Sequence, residues 1–518
     1  MTTGASPESP DPDRTQPAEI RAEDYAGLYG QARRAADETI GATQSAALTD
    51  SWPDPHQQVD QQIERIQQLR EQAAALRHDT PVLIDVIRLE GPPGDGGPDG
   101  GGAPDHGAPS RAILAVRGEL LLRVPNETVL DFDREAAARG GEGTDAWQQA
   151  VIALENRQYT TSPVHDFPRG QLPLLRFSKD VHGPDELIGD RNAVRAETGA
   201  EVDLNYVVTA GHTVKAADYP VPAASHRCYS PEWIRRHPVR RTINVAVIDT
   251  GINHQGRTDG WLTSIPEDQR NEDPLDVYPV TQEADGQIKV GDGLLDAAAG
   301  HGTFVSGVVE QVAPLADIRV YQAVDTLGWG TSDAIGSALV QAAAEGADII
   351  NTSLGTMTVD NLPPLAFTLA LEIAQTMRKG ILVVASAGNM GLDTPMFPAA
   401  MKGVVGVGAL DANLNPAAWS GFGFWVDCSA IGVGVTSTFV PGIEPTFTAD
   451  GTEVDEEFDD NAWAIWSGTS FSAPQIAGAV AQLCQLNNVD PAEALDQLVT
   501  GRTVRPGYGF VIPILPGS

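Results

Sequence analysis

Three rhythms of apolar and polar positions follow one another along the chain. In HQQVDQQIERIQQLREQAAALR, Val59, Ile63, Ile66, Leu69 and Ala73 return every three to four positions, which predicts an amphipathic helix. Further on, the short apolar runs ILAVRGELLLRV, PLLRFS and VDLNYVVTA alternate with helical patterns at AWQQAVIALENR and PDELIGDRNAVRAET. That mixture predicts a small α+β domain over 111–215. From Ile243 the runs become apolar throughout and mostly β-branched: NVAVIDTG, ADIRVYQAV, GADIINTSLG, GILVVASAGN and GVVGVGAL. SDAIGSALVQAAAE and LPPLAFTLALEIAQTMRKG lie between them at helical spacing. Strands apolar on both faces, alternating with helices, predict an α/β fold with a parallel sheet covered on both sides.

Stretches with little to bury set the boundaries. Residues 1–17 are rich in Pro, Ser and Asp and read as a disordered tail. Residues 18–90 read as a helical N-terminal region, which packs on the rest of the chain or binds a regulatory protein partner. GPPGDGGPDGGGAPDHGAPS, residues 91–110, is a Gly/Pro-rich linker. The α+β domain follows over 111–215, a second linker over 216–242, and the α/β domain over 243–518.

Composition changes this picture at a few points. A net charge of −36 repels phosphate and argues against a nucleic-acid partner. Cys228, Cys428 and Cys484 are few, odd in number and far apart, which suits reduced thiols better than a disulfide framework or a Cys-rich metal site. The first residues lack the basic start and apolar core of a signal peptide, and no apolar stretch reaches the length of a membrane span. The expectation is a soluble cytoplasmic protein without a membrane span; signal-independent export stays open.

The chemistry is concentrated at the ends of the regular elements. In WSGTSFSAPQIAG, residues 466–478, serine and proline precede an apolar helical run, so a capped helix start explains them without any chemistry. Other element ends carry more. NVAVIDTG ends in Asp249, GHGTFVSGVV opens a helix with His301 between glycines, ILVVASAGN ends in Asn389, and GTSFSAP carries Ser470. Singly, these are turn formers and loop residues. Together they are an acid, an imidazole, an amide and a hydroxyl, the set that nucleophilic acyl transfer needs.

In these motifs the chain resembles the subtilisin-like serine proteases, the subtilases. VIDTGI is similar to the family's aspartate motif, GHGTFVSG to its histidine motif, SAGN to its oxyanion-asparagine segment and GTSFSAP to its serine motif, in the order Asp, His, Ser. The resemblance covers about 243–485. It implies a subtilisin-like fold and a serine endopeptidase in which Ser470 is the nucleophile, His301 the base, Asp249 its orienting acid and Asn389 an oxyanion donor. Ser467 and Ser472 are then bystanders. By the same resemblance Ser353, Leu354 and Gly355 line the substrate cleft, Ala387 and Gly388 wall the primary pocket, and Met396 lies near its base, which implies a preference for apolar residues.

Further implications concern ligands and control. The chemistry requires no cofactor. Structural calcium occurs in the family, but no ligand set carries over to this chain, and the acidic stretch at 442–461 lacks the EF-hand spacing. Protein or peptide substrates are the implied partners. The 111–215 domain is of a size to be a propeptide or a regulatory domain, with RRHPVRR (235–241) as a processing site or a plain linker. The alternative function is a catalytically silent interaction protein on the same scaffold.

Overall fold

The computed structural model describes residues 55–77, 83–89, 111–125, 145–163, 171–210, 219–224, 241–267, 271–283, 286–447 and 453–515. The tail at 1–17, the linker at 91–110 and most of that at 216–242 lie outside the described residues.

The β-branched runs after Ile243 form one sheet. Its order is Asp317–Gln322, Asn244–Asp249, Ile349–Thr352, Leu382–Ser386, Val404–Leu410, Cys428–Ile431, Gly509–Val511 and Val504–Arg505. All neighbours are parallel except the last pair. Burial on both faces explains why these strands do not alternate with polar residues. Val245 and Val247 point into a core with Phe304, Val308, Ile476 and Val480, from the helices His301–Val312 and Thr469–Asn487. Ala246 and Ile248 point the other way, against Ile335, Leu339 and Leu369 of the helices Ser332–Ala344 and Leu365–Met377.

The second sheet is antiparallel. Arg111–Arg123 is its central strand, with Val202–Thr209 on one side. On the other side Arg111–Val116 pairs with Ile84–Leu89 and Glu119–Arg123 with Leu174–Ser178. Gly118 separates these two partners in the left-handed region, φ 71°, where an added Cβ would lie 1.9 Å from the Lys179 carbonyl oxygen. Only glycine fits there. Helices Ala146–Asn156 and Pro184–Thr198 cover one face with Val151, Leu154, Leu187 and Val194.

Two features depart from the sequence reading. The helical reading of 18–90 does not hold to its end, because Ile84–Leu89 is a strand of this sheet. Its partner is hidden in the sequence behind the long Gly/Pro-rich stretch. Second, the two sheets are not separate units. Trp329–Thr331, which belongs to the α/β half, pairs antiparallel with the free edge of Val202–Thr209. The N-terminal sheet and the helices Ser332–Ala344 and Leu365–Met377 also share one continuous apolar core.

Polar contacts reinforce that junction. Asp203 accepts the backbone N–H of Leu365 at 3.0 Å, placing a carboxylate at a helix N-terminus where the dipole favours it. The Ser332 hydroxyl, at the next helix start, donates to Asn205 at 3.0 Å. Arg176 reaches the fully buried Asp333, Arg191 sits 3.5 Å from Asp360, and Arg70 pairs with Asp325. Among the described residues no helix is long and apolar enough to cross a membrane.

Candidate active site

Asp249 closes its strand fully buried. Its Oδ1 lies 2.6 Å from His301 Nδ1 and accepts the Thr250 N–H at 2.8 Å. His301 is the first residue of its helix, and packing explains the glycines around it. Gly300 has φ 79°, and a Cβ there would lie 2.7 Å from Val440 and 2.8 Å from Phe439. A Cβ on Gly302 would lie 2.1 Å from the Gly251 carbonyl oxygen. The imidazole can approach the aspartate only because nothing projects from either neighbour.

A second carboxylate stands behind this pair, and no motif pointed to it. Asp273 is fully buried and accepts from the Thr250 hydroxyl and the Gly300 N–H, both at 2.9 Å. Thr250 Oγ1 in turn accepts the Gly302 N–H at 3.0 Å. Asp273, together with Thr250, thus ties the turn after Asp249 to both glycines around His301. Burial pushes its carboxyl up to about 7, and the nearby Asp249 charge acts in the same direction.

Ser470 is the second residue of the helix Thr469–Asn487, whose N-cap is Gly468. Pro474 therefore lies inside the helix rather than in its first turn, and this has a local effect. A proline has no N–H to give to the carbonyl four residues back. The Ser470 carbonyl accepts instead from the Ser353 hydroxyl at 2.7 Å, while Ser470 Oγ donates to the Ser353 carbonyl at 3.2 Å. His301 Nε2 has no hydrogen-bond partner among the described residues. Trp466 and Phe471 flank its ring, each with a centroid 5.5 Å away.

Asn389 is held by its oxygen. Oδ1 accepts from the Thr469 N–H at 2.9 Å and the Thr469 hydroxyl at 2.8 Å, which leaves Nδ2 buried and unpaired. Buried amide donors are rarely left so without a purpose. Thr469 stands inside the GTS motif, yet its hold on Asn389 had no sequence signal. The neighbouring serines serve the frame: Ser467 Oγ accepts the Gly434 N–H, and Ser472 Oγ donates to Ala430. Gln475 ties the helix to the Ile431 carbonyl at 2.6 Å and touches none of the four site residues.

Of the expected substrate residues, Ser353 bonds Ser470 in both directions, as described. Leu354 is buried in the core. Gly355 exchanges two main-chain bonds with Thr209, at 3.0 and 2.9 Å. Ala387 and Gly388 follow the strand Leu382–Ser386, and Met396 is buried against Gly355 and Gly388. The acidic stretch at 442–461 contains an antiparallel hairpin, Gly442–Phe447 with Glu453–Phe458. No group of three or more His, Cys, Asp or Glu side chains among the described residues is arranged to hold a metal ion.

The chain has relatives among known proteins. The sequence profile of the subtilase family matches residues 240–505. Over 399 residues the chain is 30% identical to the alkaline elastase YaB of Bacillus sp. (strain YaB), covering 72% of this chain and 88% of that protein. The alkaline protease of Shouchella clausii is 27% identical over 396 residues, 73% of this chain and 88% of that one. Subtilisin Savinase of Lederbergia lenta is 29% identical over 308 residues, 56% of this chain and 96% of that one. The first two matches are longer than the α/β half alone could supply, so they include part of the N-terminal half.

Proposed function

Because the chain belongs to the subtilase family and is a subtilisin-like serine protease, we propose that Asp249, His301 and Ser470 are its catalytic triad and Asn389 its oxyanion donor. The observation that carries this reading is the Asp249–His301 contact of 2.6 Å with Nε2 left open beside the Ser470 helix. Asp249 fixes the tautomer with the proton on Nδ1, so Nε2 carries the lone pair. Ser470 Oγ turns from the Ser353 carbonyl toward Nε2, gives up its proton and attacks the substrate carbonyl. The Asn389 amide and the Ser470 backbone N–H, at a helix N-terminus, receive the developing oxyanion. The imidazolium then protonates the leaving amine, and water repeats the cycle on the acyl-enzyme.

The N-terminal half acts in this reading as a cis inhibitor. Its support is main-chain pairing. Val207, Val208 and Thr209 face Thr331, Gly330 and Trp329, Ala210 donates to the Gly328 carbonyl, and Thr209 pairs with Gly355. At its Thr209 end the strand lies between two edges of the α/β half, the place where an extended substrate would add. A regulatory partner would act by lifting this strand away.

The experiment is hydrolysis of casein and of fluorogenic peptides by full-length protein, with Ser470→Ala and a serine-directed phosphonate as controls. Activity in the wild type that both controls remove supports the assignment. Equal activity in Ser470→Ala overturns it. No activity under any condition, with the inserted strand (the strap, Val202–Thr209) displaced, favours the silent scaffold. Intact mass of the two proteins reports whether the chain cuts itself.

A further inference from the structure

Resting on the protease reading above, the structure assigns a substrate class. The strands Ile349–Thr352 and Leu382–Ser386 are paired in parallel up to Thr352 and Ala385. The chain beyond each runs on as Ser353–Gly355 and Ala387–Gly388, on the two sides of a slot. Its mouth is at the reacting centre, since the Ser353 carbonyl holds Ser470 Oγ and Asn389 follows Gly388. Glycines on facing walls would ordinarily leave room for a large substrate side chain.

Here that room is taken. A Cβ built on Gly355 would lie 2.7 Å from Met396 Cγ and 2.9 Å from its Sδ, and a Cβ on Gly388 would lie 2.8 Å from Met396 Cε. One thioether side chain therefore spans the slot from wall to wall. It is 5% exposed. Its root is pinned, because the next residue, Phe397, exchanges two main-chain bonds with Thr356 at 2.9 and 2.8 Å. The main chain thus holds Met396 against the Gly355 wall.

We propose that Met396 fills the primary side-chain pocket and restricts cleavage to peptide bonds that follow glycine, alanine or serine. A methyl or hydroxymethyl group needs none of the depth that Met396 occupies. Leucine, phenylalanine or tyrosine must expel a packed side chain first, and well-packed interiors resist added volume. This narrows the apolar preference that the family resemblance implied: the slot is apolar, but its own side chain occupies it.

The test is a peptide-library digest with full-length wild type, Met396→Gly and Ser470→Ala, read by mass spectrometry. The wild type should cut after Gly, Ala and Ser. In Met396→Gly the ratio of cutting after Phe or Leu to cutting after Ala should rise by at least about tenfold, the scale of discrimination one apolar pocket provides. A wild type that cuts after Phe or Leu as readily as after Ala overturns the proposal, and so does an unchanged ratio in the variant. Cutting that survives in Ser470→Ala would instead strike at the triad.

A second measurement does not depend on activity. Emptying the slot should create an apolar cavity, so benzene or indole should raise the Tm of Met396→Gly and leave that of the wild type unmoved. A variant whose Tm ignores both ligands shows that Met396 does not fill the slot, and the proposal falls. If neither protein hydrolyses any peptide even when Thr209→Pro is added to release the inserted strand, the triad assignment fails, and this measurement alone decides the occupancy.

Discussion

The two sheets use their strands in opposite ways. In the parallel sheet the main-chain groups are spent on one another, and the chemistry projects from the strand ends as side chains: Asp249, Asn389 and, from helix starts, His301 and Ser470. The antiparallel sheet carries none of those groups. It offers an edge, and Trp329–Thr331 of the other half completes it. In the proposed reading one half holds what reacts, and the other holds the place where a substrate strand would lie. Control of this enzyme is therefore expected to work through backbone pairing and its flanking ion pairs, leaving the triad itself intact.

The largest effect on this contrast should come from Ser470→Ala. Loss of the nucleophile costs about 10⁶ in kcat in a subtilisin, and a loss of that order in kcat on a fluorogenic peptide is expected here. A loss below tenfold would mean that the reactive half is misassigned. Next, Asn389→Ala removes the unpaired Nδ2 and should lower kcat by about 10²–10³ with little change in KM. A change in KM alone would make Asn389 a binding residue instead.

Thr209→Pro addresses the other half. It deletes the N–H that Gly355 accepts at 3.0 Å. If the strap shields the cleft, activity of the full-length protein on short peptides should rise by roughly tenfold, the equivalent of about one hydrogen bond. Unchanged activity would mean that the strap does not compete with substrate.

The smallest expected effect concerns Asp273. Its carboxyl is pushed up to about 7 in the folded protein, against about 3.9 in an unfolded chain. Between those values the native state keeps a proton that the unfolded state has released. The resulting stability is full below about pH 4 and is lost as pH rises through 7. Burial pushes Glu310 up to about 7 and Asp296 up to about 6, adding to the same slope. The Tm should therefore fall by a few degrees between pH 5 and pH 8, and Asp273→Asn should flatten that fall. An identical slope in the variant would remove Asp273 as its source.

The junction between the halves was the hardest part to read. Val202–Thr209 looked like the last strand of a small separate domain, because its apolar pattern says that it pairs but not with what. Ile84–Leu89 was missed for a related reason, since its partner begins beyond a long Gly/Pro-rich stretch. By contrast, GHGTF and GTSFSAP were readable because local backbone demands concentrate there. Gly300 needs φ 79°, Gly302 must admit the Gly251 carbonyl, and Pro474 leaves the Ser470 carbonyl free. Such demands leave residue types that cannot be exchanged, and these mark a sequence.

By itself, then, the sequence determined the strand–helix alternation, the four candidate groups and their order along the chain. Each depends on residue type and near neighbours. Only the tertiary structure decided that Asp273 stands behind the Asp249–His301 pair, that Met396 packs against both Gly355 and Gly388, and that Val202–Thr209 pairs with Trp329–Thr331 and Gly355. Those facts come from contacts between distant segments. Main-chain pairing and van der Waals filling place few demands on residue type at either end, so neither leaves a local motif to find.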